Sequence, residues 1–299
     1  MTPLLFALPG AQRIAAALLD HWPCQPAALD LHRFPDQECR PCYGAPLEGR
    51  DVVLVAQLDQ PDAKLFELYL CASTARELGA ASVGLVLPYL PYMRQDCRFE
   101  PGQGTSARHM AALLSSCADW LVTVDPHLHR FDRLDQVFSI PATVVASAEP
   151  VAQWIRAQVA QPVVVGPDSE SAQWVSQVAA LAQCPYAVMD KNRYGDREVE
   201  VALAEGALAP GRVPVLLDDI ISSGRTMAAA IARLRAGGTP PPVCVVVHPL
   251  FAGDALAVLQ AAAPARIVSC NTIEHASNGI DVSPQLARAA VALHRSHRR

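Results

Sequence analysis

Short unbroken runs of Val, Leu and Ile alternate along the chain with longer segments whose apolar positions recur at helical spacing. The runs predict strands at Leu4–Leu8, Asp51–Ala56, Ser82–Pro88, Trp120–Asp125 and Ala142–Ala146. They recur at Val163–Gly166, Tyr186–Asp190, Val213–Asp219, Val243–His248 and Ile267–Cys270. The amphipathic segments predict helices at Ala11–Leu19, Ala63–Leu78, Ser106–Cys117, Val151–Val159, Glu170–Leu181, Thr226–Ala236 and Ala255–Ala262. Strands without polar alternation are buried on both faces, as in a parallel sheet. Their alternation with helices predicts an α/β fold with helices on both faces of the sheet. The pattern runs twice, with a hinge at Pro141–Pro150, so the expected domains are 1–145 and 146–299. The basic tail His294–Arg299 is expected to fray. In such sheets ligands bind beyond the carboxyl ends of the strands, and polar clusters that follow a strand have the first claim to chemistry.

The 299 residues are 51% hydrophobic and 18% charged, with a formal net charge of −5. That supports ordinary cores in about two domains of roughly 150 residues and excludes wholesale disorder. Mean hydropathy is +0.18, yet Pro, Gly, Asp, Arg or Gln interrupts every apolar run well short of a membrane span. Met1–Asp20 lacks the basic start and cleavage site of a signal peptide. No Lys/Arg stripe stands out, which argues against nucleic-acid and membrane partners. Nine cysteines scattered from Cys24 to Cys270 read as reduced thiols of a cytoplasmic protein. Cys39-Arg-Pro-Cys42 is a single CxxC with no second pair, and reads as ordinary strand or loop cysteines. Gly44–Asp51 nearly spells a P-loop, but it lacks the terminal Lys-Ser/Thr and leads into a strand.

The strongest cluster is Val213-Pro-Val-Leu-Leu-Asp218-Asp219-Ile-Ile-Ser222-Ser223-Gly224-Arg225-Thr226. A buried strand ends in two carboxylates, a Ser/Gly loop follows, and an Ala-rich helix begins. Backbone N–H groups and hydroxyls at a helix N-terminus hold a phosphate without needing a lysine. Adjacent carboxylates can accept hydrogen bonds from vicinal sugar hydroxyls. The plainer reading is a strand, a turn and a helix cap on Ser222 or Ser223.

This cluster resembles the phosphoribosyl-pyrophosphate loop of type I phosphoribosyltransferases. Four further clusters close other strands: Pro88-Tyr-Leu-Pro-Tyr-Met-Arg94-Gln95-Asp96, Val124-Asp-Pro-His127, Val165-Gly-Pro-Asp168 and Met189-Asp-Lys191-Asn-Arg193. With Arg33-Phe34-Pro-Asp36-Gln-Glu38, they resemble the ribose-phosphate pyrophosphokinase family over nearly the whole chain, in the family's order. The resemblance implies two type I phosphoribosyltransferase-like α/β domains, each a mainly parallel sheet flanked by helices. It implies transfer of the pyrophosphoryl group of Mg-ATP to the C1 hydroxyl of ribose 5-phosphate, leaving AMP.

Carried over residue by residue, the resemblance gives Asp218 and Asp219 the ribose hydroxyls. Ser222, Ser223, Gly224, Arg225 and Thr226 take the 5-phosphate. Phe34, Asp36, Glu38, Arg94, Gln95, Asp96 and His127 fall on the ATP side, the first three presented to adenine by a neighbouring subunit. An ion pair with Asp96 is the plainer role for Arg94. His127 and Asp168 position magnesium, which keeps several waters and substrate oxygens and so takes few protein ligands. Lys191 and Arg193 are the catalytic cations, since phosphoryl-type transfer asks mainly for positioning and positive charge. Residues 194–201 look like a flap over ATP.

Some positions depart from the common bacterial pattern, and the chain reads as a divergent bacterial member with archaeal-like features. Ser222 replaces an Asp and Arg225 a Gly. Pro46-Leu-Glu48-Gly49 stands where a Ser-Val-Arg-Gly turn helps to form an allosteric phosphate/ADP site, so weak ADP inhibition is expected. A homodimer or higher dimer-based oligomer is expected rather than a certain hexamer. Two other classes fit parts of the sequence: a non-catalytic regulatory relative, and a phosphoribosyltransferase. The first should have lost some of Lys191, Arg193, His127, Asp168, Asp218 and Asp219, yet all are present. The second leaves Arg94–Asp96 and His127 unexplained and needs only about half the chain.

Overall fold

The computed structural model describes residues 2–128, 130–189 and 211–298. They form two compact units, one of 1–145, 272–274 and 282–299, the other of 146–271 and 275–281. Along the first stretch run β1 (Leu4–Ala7), α1 (Gln12–Leu19), β2 (Gln25–Pro26), β3 (Leu29–Arg33), β4 (Cys39–Tyr43) and β5 (Asp51–Val55). Then come α2 (Pro61–Glu77), β6 (Ser82–Leu87), α3 (Ser106–Cys117), β7 (Trp120–Val124) and β8 (Ala142–Val145). Six of these strands make one sheet in the order β2-β1-β5-β6-β7-β8, with every pairing parallel.

Every residue of β5, β6 and β7 is buried, as uninterrupted aliphatic runs require when helices cover both faces. Gly84 in β6 is needed for packing. A Cβ there would stand 1.9 Å from the Trp120 ring, so the indole of β7 fills the space that a side chain would take.

β3 and β4 stand apart as an antiparallel hairpin, with Arg33 opposite Cys39 and Leu29 opposite Tyr43. Neither was expected from the sequence, because Asp30, His32, Arg40 and Pro41 break up the apolar pattern. The hairpin answers the CxxC question. Cys39 and Cys42 lie three apart on one strand and therefore on opposite faces, and both are free thiols.

The second unit contains α4 (Ala148–Gln158), β9 (Pro162–Gly166), α5 (Ala172–Ala182), β10 (Tyr186–Val188) and β11 (Val213–Ile221). It continues with α6 (Arg225–Ala236), β12 (Val243–Pro249), α7 (Ala255–Ala261), β13 (Arg266–Cys270) and β14 (Asn278–Ile280). Its sheet order is β10-β9-β11-β12-β13-β14, again parallel throughout.

The last helix, α8 (Ser283–His297), belongs to the first unit, whereas the sequence expectation gave 146–299 wholly to the second. The expected fraying of the tail is also corrected. Leu286, Ala287, Ala290 and His294 make a buried stripe on α8, and a stripe of that spacing secures a helix by packing. His294 lies within ring-contact range of Trp22 and Trp120, with centroids 6.1 and 6.3 Å away. Among the described residues no helix is long and apolar enough to cross a membrane.

Candidate functional site

β9 and β11 are neighbours, and their carboxyl ends bring three acids together in the second unit. Asp168 follows β9 and caps the short turn Ser169–Ser171, its Oδ1 accepting from the Ser171 N–H at 3.3 Å. The Ser171 hydroxyl donates back to the Asp168 carbonyl at 2.6 Å. That close turn needs Gly166, where a Cβ would meet the Ser171 hydroxyl oxygen at 2.2 Å.

Asp218 and Asp219 lie near the end of β11, and the Asp219 N–H donates to Oδ1 of Asp218 at 3.0 Å. Burial pushes the Asp218 carboxyl well above the usual carboxylate range. The negative charges of Asp219 and Asp168 push it further in the same direction. Three half-buried carboxylates that repel one another are suited to sugar hydroxyls or to a divalent cation, either of which relieves the repulsion. Among the described residues no group of three or more His, Cys, Asp and Glu is arranged to enclose a metal ion by itself. Magnesium, which retains water and substrate oxygens, does not require such a cage.

The loop after β11 runs Ser222, Ser223, Gly224 into α6. Gly224 has φ +71°, the left-handed region that glycine enters without strain. A Cβ there would also come within 3.0 Å of the Ala255 carbonyl on α7. The loop is braced from the end of β12, where Phe251 and Ala252 N–H groups donate to the Ile221 and Ser222 carbonyls at 3.0 and 2.9 Å. α6 has neither a side-chain cap nor an acid in its first turn, so its leading N–H groups are left for an anion. Ser223, Arg225 and Thr226 are exposed there. Arg225 reaches Asp254 at 3.8 Å, both side chains being about two-thirds exposed.

In the first unit, the loop after β6 carries Arg94 and Gln95 exposed, and Asp96 buried. Asp96 accepts from Nη1 of Arg130 at 2.8 Å, so its ion-pair partner is Arg130 and not Arg94. His127 is half-buried beyond β7. Phe34, Asp36 and Glu38 form the tip of the β3–β4 hairpin. The Phe34 N–H donates to the Glu38 carbonyl at 2.9 Å, and the Glu38 N–H to Asp36 Oδ1 at 3.2 Å. The Phe34 ring is flanked by His32 at 4.7 Å and by the Arg40 guanidinium at 5.7 Å. Lys191 and Arg193, with 194–201, lie outside the described residues.

Residues 4–117 match the N-terminal domain of ribose phosphate pyrophosphokinase, and 133–285 match the phosphoribosyl transferase domain. The ribose-phosphate pyrophosphokinase of Methanopyrus kandleri is 32% identical, over 93% of this chain and 94% of that protein. That of Halobacterium salinarum is 33% identical, over 96% of this chain and 100% of that protein. The chain belongs to the ribose-phosphate pyrophosphokinase family. A crystal structure of phosphoribosylpyrophosphate synthetase from Mycobacterium smegmatis superposes with a TM-score of 0.86, covering 99% of this chain and 100% of that one. At 23% identity this likeness concerns the fold, the two-domain α/β architecture expected from the strand and helix pattern.

Two residues beside these candidate groups escaped the sequence reading. Arg130 meets the candidate residue Asp96 between two loops, and Asp254 meets the candidate residue Arg225 at the start of α6. No spacing rule signals such a contact, because the partners are 34 and 29 positions apart in sequence.

Proposed function

We propose that the chain is a ribose-phosphate diphosphokinase using Mg-ATP and ribose 5-phosphate. Family membership over nearly the full length supports this reading. The observation that carries it is the joining of Asp218 and Asp219 to an uncapped helix N-terminus through Gly224, which suits a phosphorylated sugar. On this reading the leading N–H groups of α6, with Ser222, Ser223, Arg225 and Thr226, hold the 5-phosphate. Asp218 and Asp219 accept from the ribose hydroxyls and orient C1.

The transfer joins the C1 hydroxyl oxygen to the β-phosphorus of ATP. The bond from that phosphorus to the oxygen it shares with the α-phosphorus breaks, AMP leaves with that oxygen, and the proton of the C1 hydroxyl is released to solvent. Lys191 and Arg193 are the cations proposed to steady the transferring group. Arg94, Gln95 and His127 are proposed on the ATP side. Phe34, Asp36 and Glu38 are proposed to meet the adenine of a second copy, which makes the working assembly a dimer or a multiple of it. Magnesium would supply charge neutralisation on the polyphosphate, with His127 proposed as a ligand in the first unit and Asp168 as one in the second, each alongside water and phosphate oxygens. The acid-rich end of the second sheet fits a cation of that kind. A cytoplasmic location is in keeping with a reaction on soluble phosphates.

The test is AMP release from Mg-ATP with and without ribose 5-phosphate, in the wild type and Lys191→Ala. AMP that depends on ribose 5-phosphate, and falls by about two orders of magnitude or more in the variant, is expected when a transition-state cation is lost. ADP in place of AMP, or no turnover, overturns the reading.

A further inference from the structure

Two loops at the carboxyl edge of the first sheet carry the proposed ATP-side groups, Arg94 and Gln95 after β6 and His127 after β7. Each contains a non-glycine residue in the left-handed region two positions before its polar group. Tyr92 has φ +64° ahead of Arg94, and Asp125 has φ +30° ahead of His127. Backbone of that kind persists only where its surroundings hold it.

The two loops are also joined to each other by a staple. The Asp96 side chain is 1% exposed and Arg130 engages both its oxygens. Nη1 of Arg130 donates to Oδ1 at 2.8 Å, and the Arg130 backbone N–H donates to Oδ2 at 3.2 Å. The second bond fixes the course of the chain three residues after His127, not only a side chain. The guanidinium also lies 5.1 Å from the centre of the Phe99 ring on the first loop. In the opposite sense, Arg108 of α3 lies 5.2 Å from the Phe131 ring on the second. The Arg130 side chain is itself 53% exposed, so its loss removes little core packing, while Asp96 loses the partner of its buried carboxylate.

We infer that Arg130 is a positioning residue that, through Asp96, sets Arg94 and Gln95 at a fixed spacing from His127. Asp96 is accordingly a strut rather than a nucleotide contact. The inference rests on the proposed ATP-side role of Arg94, Gln95 and His127.

The experiment compares wild type, Arg130→Ala, Arg130→Lys and Asp96→Asn in the AMP-release assay, with calorimetric titration of Mg-ATP. Misplacing groups by about 1 Å costs up to about a hundredfold, so Arg130→Ala is expected to raise KM for ATP by about tenfold or more. KM for ribose 5-phosphate should stay within about twofold, since that ligand's contacts are untouched. Arg130→Lys should recover part of the loss, and so should guanidinium ion added to Arg130→Ala. Asp96→Asn should weaken ATP in the same way, and in the double variant the two losses should not add.

An unchanged KM for ATP in Arg130→Ala overturns the inference. So does an equal rise in both KM values, which would mark general damage. Wild-type enzyme without ribose 5-phosphate-dependent AMP overturns the proposed function instead, and the Mg-ATP affinities of the same variants still decide the inference.

Discussion

Nε2 of His294, on the last helix, lies 3.1 Å from Oδ2 of Asp51, the first residue of β5, and both side chains are buried. Ser82 donates to the other Asp51 oxygen at 2.8 Å, and the Arg298 guanidinium adds a positive charge beside it. Burial raises the Asp51 pKa, but the hydrogen bonds from His294 and Ser82 and the nearby charges outweigh it. Together they hold the carboxyl below its ordinary 3.8.

A folded pKa below the unfolded one means stability that is complete above about pH 3.8 and lost as pH falls through the folded value. Acid unfolding of the first unit should include this step. Asp51→Ala leaves the buried His294 and Ser82 without their acceptor and should cost about 1–3 kcal/mol at pH 7. Denaturant melts of both proteins between pH 2 and 7 measure it. A variant that tracks the wild type at every pH shows the pair to be inconsequential.

Gly224→Ala should damage the phosphate loop specifically. The added Cβ faces both a left-handed backbone and the Ala255 carbonyl, a combined cost of about 1–3 kcal/mol. KM for ribose 5-phosphate should rise more than KM for ATP. Steady-state kinetics with each substrate varied in turn is the check, and equal effects on both count against a local cause.

Asp218→Asn replaces a carboxyl whose charged form is opposed by burial and by Asp219 and Asp168 with a permanently neutral group. The second unit should therefore melt higher, by about 2–4 °C for each kcal/mol relieved. Activity should fall by about a hundredfold as an acceptor for the sugar is lost. Stability gained with activity lost is the usual sign of a functional site under strain. A variant that is less stable than wild type would show that Asp218 is held mainly by its local hydrogen bonds.

Arg225→Gly should alter stability by less than about 1 kcal/mol, because the contact with Asp254 is long and exposed on both sides. It should still weaken ribose 5-phosphate several-fold by removing a charge-assisted donor. Thermal melts and KM for ribose 5-phosphate separate the two effects.

The central strands were legible in the sequence because they are covered on both faces, so that burial wrote itself as runs such as Val52–Val55 and Val245–Val247. The loop from Asp218 to Thr226 was legible for a related reason, since the abrupt change from aliphatic to acidic to small residues marks a strand end. β3 and β4 were not, because a two-stranded hairpin with one open face has no need of an apolar run and tolerates Pro41. α8 was hidden by its Arg and His residues, which suggest a loose tail until Asp51 is seen beneath His294. The Asp96–Arg130 staple was hidden because Asp96 belongs to a recognisable motif and Arg130 lies outside it.

Because α8 returns to the sheet that β1 began, the first unit is discontinuous in the chain. During synthesis its strands emerge early, but the helix that covers Trp22, Trp120 and Asp51 follows only after the second unit. The earlier-made unit thus waits, partly uncovered, until the second unit has been made, whereas a chain of two consecutive domains completes its first domain before starting the second. A fragment ending at Val145 would leave that waiting surface permanently open, and the N-terminal half should be produced with α8 supplied in trans or by circular permutation.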